Sequence, residues 1–155
     1  MSSRLPERIV IVGNSATGKT TLARELAGRL GCAHIERDSI QWGADWKAVS
    51  DAEFRARVTE AVQGERWVAD GNFSRVREVV WGRADTLVWL DYPLALILWR
   101  LARRSWTRIQ SQEPLWNGNR ETWGHLLGRN GVFAWALKAH FRHHLEYPAL
   151  LELPQ

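Results

Sequence analysis

The chain has one cysteine, one methionine and three lysines among its 155 residues. A lone Cys32 excludes an internal disulfide framework, and its apolar setting reads as that of a small buried hydrophobe. No apolar run is long enough to span a bilayer, so a transmembrane helix is excluded. The opening stretch MSSRLPER lacks the apolar core of a secretory signal, which makes the cytoplasm the expected compartment. There are only five prolines, and no repeat or low-complexity tract interrupts the chain, which excludes solenoid and fibrous architectures. What remains, 45% hydrophobic and 25% charged residues, suits one compact domain over residues 1–155 with a real core.

The scarcity of lysine makes the positive charge almost wholly arginine, and its layout says more than the net value of +4. Residues 1–90 carry 13 basic and 12 acidic side chains, whereas the stretch RLARRSWTR, residues 100–108, has four arginines and no acid. A bare cationic cluster attracts phosphate of any kind, nucleic acid included.

Two of the twelve glycines fall in one informative stretch. Residues 13–21 read GNSATGKTT, and Gly13 to Thr20 fit the spacing G-x-x-x-x-G-K-[ST]. At ordinary residue frequencies this pattern arises by chance in roughly one chain in two hundred of this length. Its context narrows that further, because the apolar run Ile9-Val10-Ile11-Val12 precedes it and the helical pattern TLARELAGRL follows. In a loop of this kind the glycines let successive backbone N–H groups converge on an anion at the positive end of the new helix. The expected phosphate-binding residues are Gly13, Asn14, Ser15, Ala16, Thr17, Gly18, Lys19, Thr20 and Thr21. Lys19 would reach the β- and γ-phosphates, and the Thr20 hydroxyl would ligate Mg2+.

Periodicity gives an alternation of strands and helices. RIVIVG is the first strand and KTTLARELAGRL the first helix, with Leu22, Leu26 and Leu30 on one side and Gly31 as a stop. CAHIERD reads as strand two, RWVAD as strand three and TLVWLD as strand four. Between them DAEFRARVTEAVQ places Phe54, Val58, Ala61 and Val62 at helical spacing behind Ser50, a cap with Glu53 three residues on. Pro93 opens a further helix, LALILWRLARRSWTRI. Repeated β-α-β-α order predicts an α/β fold with a parallel sheet covered on both faces. Strand C-termini then share one edge, so Asp38, Asp70 and Asp91 are all candidates for the crevice beside the phosphate loop. Asp91, in WLDYP before a helix, also fits a helix cap.

These pieces carry a family resemblance. GNSATGKTTLARELA, IERDSIQW, RWVADGNFSRV, ADTLVWLDYPLALILWRLARR and LWNGNRE resemble the adenylate-kinase-like branch of P-loop proteins. They are similar in particular to bacterial proteins labelled DNA topology modulation proteins, regarded as small-molecule kinases. The resemblance runs from about residue 8 to residue 148 and implies a three-layer P-loop NTPase fold with a helical lid, at about 104–125, and C-terminal helices. It implies that Asp70 supports the Mg2+ shell together with Thr20, and that Arg100 and Arg104 face the transferring phosphate. It further implies that Asp38 binds or deprotonates the acceptor and that Arg120 belongs to the lid. Gln41 departs from the family pattern, standing where histidine is common, and the chain stops at LLELPQ, short of a final strand that helps form the base pocket.

Arg100 and Arg104, one helical turn apart, can address one anion, and a phosphoryl group in flight needs that cationic stabilisation. Arg103 and Arg108 lie off that pairing and are read as solvated or acceptor-binding. Of the ten tryptophans, Trp67 and Trp89 fall in strands and read as core. Trp42, Trp46, Trp116 and Trp123 flank the acceptor and lid segments, where they would wall an acceptor or simply pack. His140, His143 and His144 lack the spacing of a metal site and receive no role. The expected function is ATP- and Mg2+-dependent phosphoryl transfer to a small-molecule acceptor by a kinase of the nucleoside- or nucleotide-kinase type. The rivals are a nucleotide-regulated DNA-binding or topology modulation protein and an ATPase switch. Nucleic acid is the less favoured partner, no membrane is expected, and the chain is read as a monomer or homodimer.

Overall fold

The computed structural model describes residues 6–151. They divide into two compact units: the chain up to Val12 together with Gly18–Leu90, and Gly13–Thr17 together with the chain from Asp91 onward. Among the described residues no helix is long and apolar enough to cross a membrane.

The first unit is built on a parallel four-stranded sheet of β1 (Arg8–Gly13), β2 (Ala33–Glu36), β3 (Trp67–Asp70) and β4 (Thr86–Leu90), in the spatial order β2-β3-β1-β4. The inner strands β1 and β3 carry the apolar runs Ile9–Val12 and Trp67–Ala69. Ile9–Val12 and every residue of β3 are buried, whereas all of β4, at an edge, is half-buried. A parallel strand covered on both faces requires that kind of run, since alternation would bury polar side chains. Trp67 is accordingly core, while Trp89 of β4 is only half-buried. β1 pairs with β3 from Arg8↔Trp67 to Ile11↔Asp70, and β2 pairs with β3 from Ala33↔Trp67 to Glu36↔Asp70.

Helix α1 (Lys19–Leu30) covers this sheet through Ala23 and Ala27, which are buried against Ile9, Ile11 and Val68. The stripe Leu22, Leu26, Leu30 flanks that contact half-buried. Small side chains at the centre let the helix approach the strands, and the leucines close the margins. Gly31 ends α1 in the left-handed conformation (φ 61°), and the Cys32 N–H donates to the Ala27 carbonyl at 3.0 Å. Cys32 packs beside the cluster but is only half-buried. Strand two is shorter than its sequence suggested: at Arg37 the chain turns into α2 (Arg37–Gln41), so Asp38 lies in the first turn of a helix, not at the strand end. Ser50 caps α3 (Asp51–Ala61), its Oγ accepting the Glu53 N–H at 3.2 Å, and α3 buries Phe54 and Val58. A short helix, α4 (Arg77–Trp81), completes the unit and buries Val80.

The second unit is helical. α5 (Leu94–Ser111) buries Ile97, Leu101, Ser105 and Ile109, one residue per turn, and packs on α7 (Val132–Leu151), which also packs on α6 (Trp123–Leu127). The lid range expected at 104–125 begins inside α5, which continues unbroken to Ser111. Pro93 occupies the N-cap of α5 and no side chain caps that helix. Asp91 therefore does not have the capping role its sequence suggested. Standing two residues before the N-cap, it pairs with His144 Nε2 at 3.2 Å instead.

Candidate functional site

The loop after β1 has the backbone its glycines require. Gly13, Ala16 and Gly18 have φ values of 149°, 57° and 91°, and Gly18 is the N-cap of α1. Glycine has no side chain with which to cap, and the first turn of α1 contains no acid. The helix thus meets the loop with its positive pole uncompensated by any carboxylate of its own first turn. Lys19 and Thr20, in that turn, are half-buried, and Thr21 is exposed.

Inside the loop the polar side chains maintain its shape. Thr17 Oγ1 donates to the Asn14 carbonyl at 2.9 Å, the Ser15 N–H donates to Asn14 Oδ1 at 2.7 Å, and Asn14 Nδ2 donates to the Ala136 carbonyl of α7 at 2.7 Å. Asn14 and Thr17 are both buried. Any contact these two residues make with phosphate would come from their backbone, because their side chains are occupied.

α5 brings an arginine onto this loop. Arg104 Nη2 donates to Ser15 Oγ at 3.1 Å. Arg100, one turn earlier, lies with its guanidinium 4.8 Å from the centre of the Tyr92 ring. Arg100 and Arg104 line one groove of about 530 Å3 with Trp99, Arg103, Thr107, Arg108 and the acidic Glu113. The remaining cluster arginines have protein partners. Arg103 lies over the Trp99 ring at 5.7 Å, and Arg108 Nη1 is 3.7 Å from the buried Glu121 carboxylate, which also accepts from the buried Ser105 hydroxyl. Arg108 is thereby a structural residue, tying α5 to the segment before α6. Arg120 is exposed in that segment.

In the sheet-containing unit Asp70 is buried at the end of β3, and its Oδ2 lies 3.2 Å from His34 Nε2 on β2. Gly71 follows with φ 127°, its N–H donating to the Ile11 carbonyl at 3.0 Å. A Cβ on Gly71 would stand 2.5 Å from Arg37 Cβ, so this glycine is required by a close approach. Arg37 in turn donates to Asp38 Oδ1 at 2.9 Å and to Gln41 Oε1 at 3.3 Å. Arg75 donates to the same Gln41 oxygen and to Asp51, and both guanidiniums lie over the buried Phe54 ring. Asp38 and Asp70 are thus held by different partners, a guanidinium and an imidazole.

His34, Arg37 and Arg75 escaped the sequence reading. None of the three had a local signal: His34 shares a strand face with Glu36, but its contact with Asp70 depends on the register of β2 on β3. Three of the four tryptophans expected beside an acceptor or lid make ring contacts with other tryptophans. Trp42 and Trp46 meet edge to face at 5.8 Å, and Trp123 meets Trp106 likewise at 5.5 Å. Trp106 and Trp123 remain 58% and 45% exposed, and Trp42 and Trp46 are half-buried, so these ring contacts do not bury the side chains. Among the described residues no group of three or more His, Cys, Asp or Glu side chains is arranged to hold a metal ion.

The sheet and the glycine loop define the class: an α/β fold matching that of P-loop kinases. The solved structures that share it include a shikimate kinase from Acinetobacter baumannii in complex with shikimate, with a TM-score of 0.57 and 21% identity over 97% of this chain and 86% of that one. A gluconokinase from Sinorhizobium meliloti 1021 has a TM-score of 0.53 and 18% identity, over 88% of this chain and 75% of that one. No family model matches the chain. Nor does any curated protein. At these identities the likeness defines the fold, and the narrower resemblance to DNA topology modulation proteins rests on the sequence motifs alone.

Proposed function

We propose that the protein is an ATP- and Mg2+-dependent phosphotransferase acting on a small-molecule acceptor. The observation that carries this reading is the 3.1 Å bond from Arg104 to Ser15, which holds a cation of α5 against the loop whose spacing is that of a phosphate cradle. A phosphate entering the loop would meet the backbone N–H groups of residues 13–17 and that guanidinium, and the motif spacing gives Lys19 the β- and γ-phosphates. Arg100, one turn away on the same groove, supplies a second cation for charge spread over the equatorial oxygens.

The donor chemistry suits Mg2+, which prefers hard oxygen ligands and keeps much of its water. Thr20 offers a hydroxyl at the start of α1 and Asp70 a buried carboxylate at the end of β3, both within the sheet-containing unit. When bound, the ion would neutralise phosphate charge as the bond to the leaving oxygen lengthens. Asp38 would orient the acceptor hydroxyl or take its proton, with Arg37 fixing the carboxylate.

A screen of nucleosides, nucleotides, sugars and antibiotics for acceptor-stimulated ADP release tests the reading. One acceptor class should raise the rate well above the ATPase background, and Lys19→Ala should abolish nucleotide binding or turnover with little change in the thermal midpoint. Equal ATP affinity in Lys19→Ala and parent, or turnover indifferent to every acceptor, would sink it.

A second reading, nucleic-acid binding, draws on one feature, the α5 groove. It combines four arginines and Glu113 with Trp99, a residue 58% exposed, a pairing of cation and aromatic side chain that also suits nucleic acid.

A further inference from the structure

We infer that His34 is a positioning residue that orients the Asp70 carboxylate toward the nucleotide-bound metal ion. His34 has this role only if the phosphotransferase reading holds, since it is Asp70's metal-supporting task that gives the orientation a consequence.

The geometry follows from the register of β2 on β3. Glu36 pairs with Asp70 and His34 pairs with Val68, so all four side chains fall on one face of the sheet. His34 is then the diagonal neighbour of Asp70, and its imidazole spans the gap to Oδ2 at 3.2 Å. Asp70 also has a carboxylate, Glu36, as its direct cross-strand partner. Like charges directly opposite are unfavourable, so a donor on the same face has a local reason to be there.

That bond has a directional effect. An aspartate side chain turns about two torsions. With the side chain of Asp70 only 5% exposed, water supplies little to choose among its orientations. The backbone beyond Asp70 is fixed by the bond from the Gly71 N–H to Ile11. The His34 contact fixes the carboxylate by occupying Oδ2. Oδ1 and its lone pairs are left for the metal's water shell. Partners that orient a metal-supporting carboxylate in this way usually change metal affinity 10- to 100-fold when removed, by the general experience of outer-shell substitutions. A residue present only to pair a buried carboxylate would lower stability and leave metal affinity alone.

Three substitutions separate these possibilities. His34→Gln keeps a donor of similar reach, His34→Asn keeps a donor on a shorter stem, and His34→Val removes it while suiting a strand. Binding of a fluorescent ATP analogue would be followed through an Mg2+ titration, with apo thermal midpoints measured alongside. In His34→Val and His34→Asn the Mg2+ concentration at half-saturation should rise by about tenfold or more. Nucleotide affinity without metal should be unchanged, and His34→Gln should stay close to the parent. Parent-like half-saturation in His34→Asn or His34→Val would overturn the inference and leave the phosphotransferase reading standing. So would equal impairment of His34→Gln, because the hydrogen bond would then not be what matters. A parent protein whose nucleotide binding ignores Mg2+ would overturn both.

Discussion

At the scale of single residues, what was legible depended on whether backbone or side chain carried the information. Gly13, Gly18 and Gly31 were readable because a left-handed backbone has few other solutions, and all three adopt positive φ. Asp91 was misread because the sequence does not say how far a carboxylate stands from the first helical N–H. Two residues ahead of the Pro93 N-cap it found His144 instead. The Asp70 partner was hidden as well, since a diagonal cross-strand contact depends on register, and register is decided by tertiary pairing. Gly71 shows the same dependence and gives a sharp test. Its φ of 127° and the 2.5 Å approach to Arg37 Cβ leave no room for a methyl group, and Cβ cannot swing aside as a side-chain tip could. Gly71→Ala should cost about 1–3 kcal/mol from backbone strain alone, with more from the displaced arginine. Because Arg37 also holds Asp38, acceptor-dependent turnover should fall further than stability explains. Chemical denaturation alongside steady-state rates checks both, and an unchanged denaturation midpoint would show that the chain relaxes around this position.

At the scale of elements, the strands and long helices were legible because hydrophobic period and end signals agreed. β1, α1, α3, β3, β4 and α5 all appear within a few residues of where pattern and punctuation placed them. Strand two failed at its end: CAHIERD alternates well enough to read as extended throughout, yet the chain turns helical at Arg37. The reason is tertiary, since the helical turn puts Arg37 against Gly71 and Gln41 under two guanidiniums, contacts with no local sequence signature. α3 is the opposite case, a helix whose start is written locally. Ser50 accepts the Glu53 N–H at 3.2 Å, and Ser50→Ala should lower stability by about 1 kcal/mol, within the range for lost N-caps. Because α3 also presents Phe54 beneath Arg37 and Arg75, Ser50→Gly makes a useful companion, expected to cost only a few tenths of that amount. A loss in Ser50→Ala no larger than in Ser50→Gly, by denaturant titration, would show that the cap bond contributes little.

At the scale of the whole molecule, the charge is uneven, and that asymmetry separates the two functional readings. Residues 1–90 are nearly balanced at 13 basic against 12 acidic side chains, leaving 8 basic (21 − 13) against 5 acidic (17 − 12) for residues 91–155. Composition located this excess, but it could not say which arginines were already engaged. In the structure Arg108 reaches a buried glutamate and Arg103 a tryptophan face, while Arg104 meets Ser15 of the glycine loop. In a phosphotransferase Arg100 and Arg104 act on charge that develops during transfer. Changing either to Ala should then lower kcat by more than it raises the Kd for ATP, the mark of lost transition-state binding. In a nucleic-acid binder the same side chains would neutralise backbone phosphates, and each removal should flatten the slope of log K against log salt by about one unit. Both quantities can be measured on the same two variants. We expect a collapsed kcat and no duplex affinity for the salt to modulate; a normal kcat with a flattened slope would transfer the cluster, and the function of the molecule, to nucleic acid.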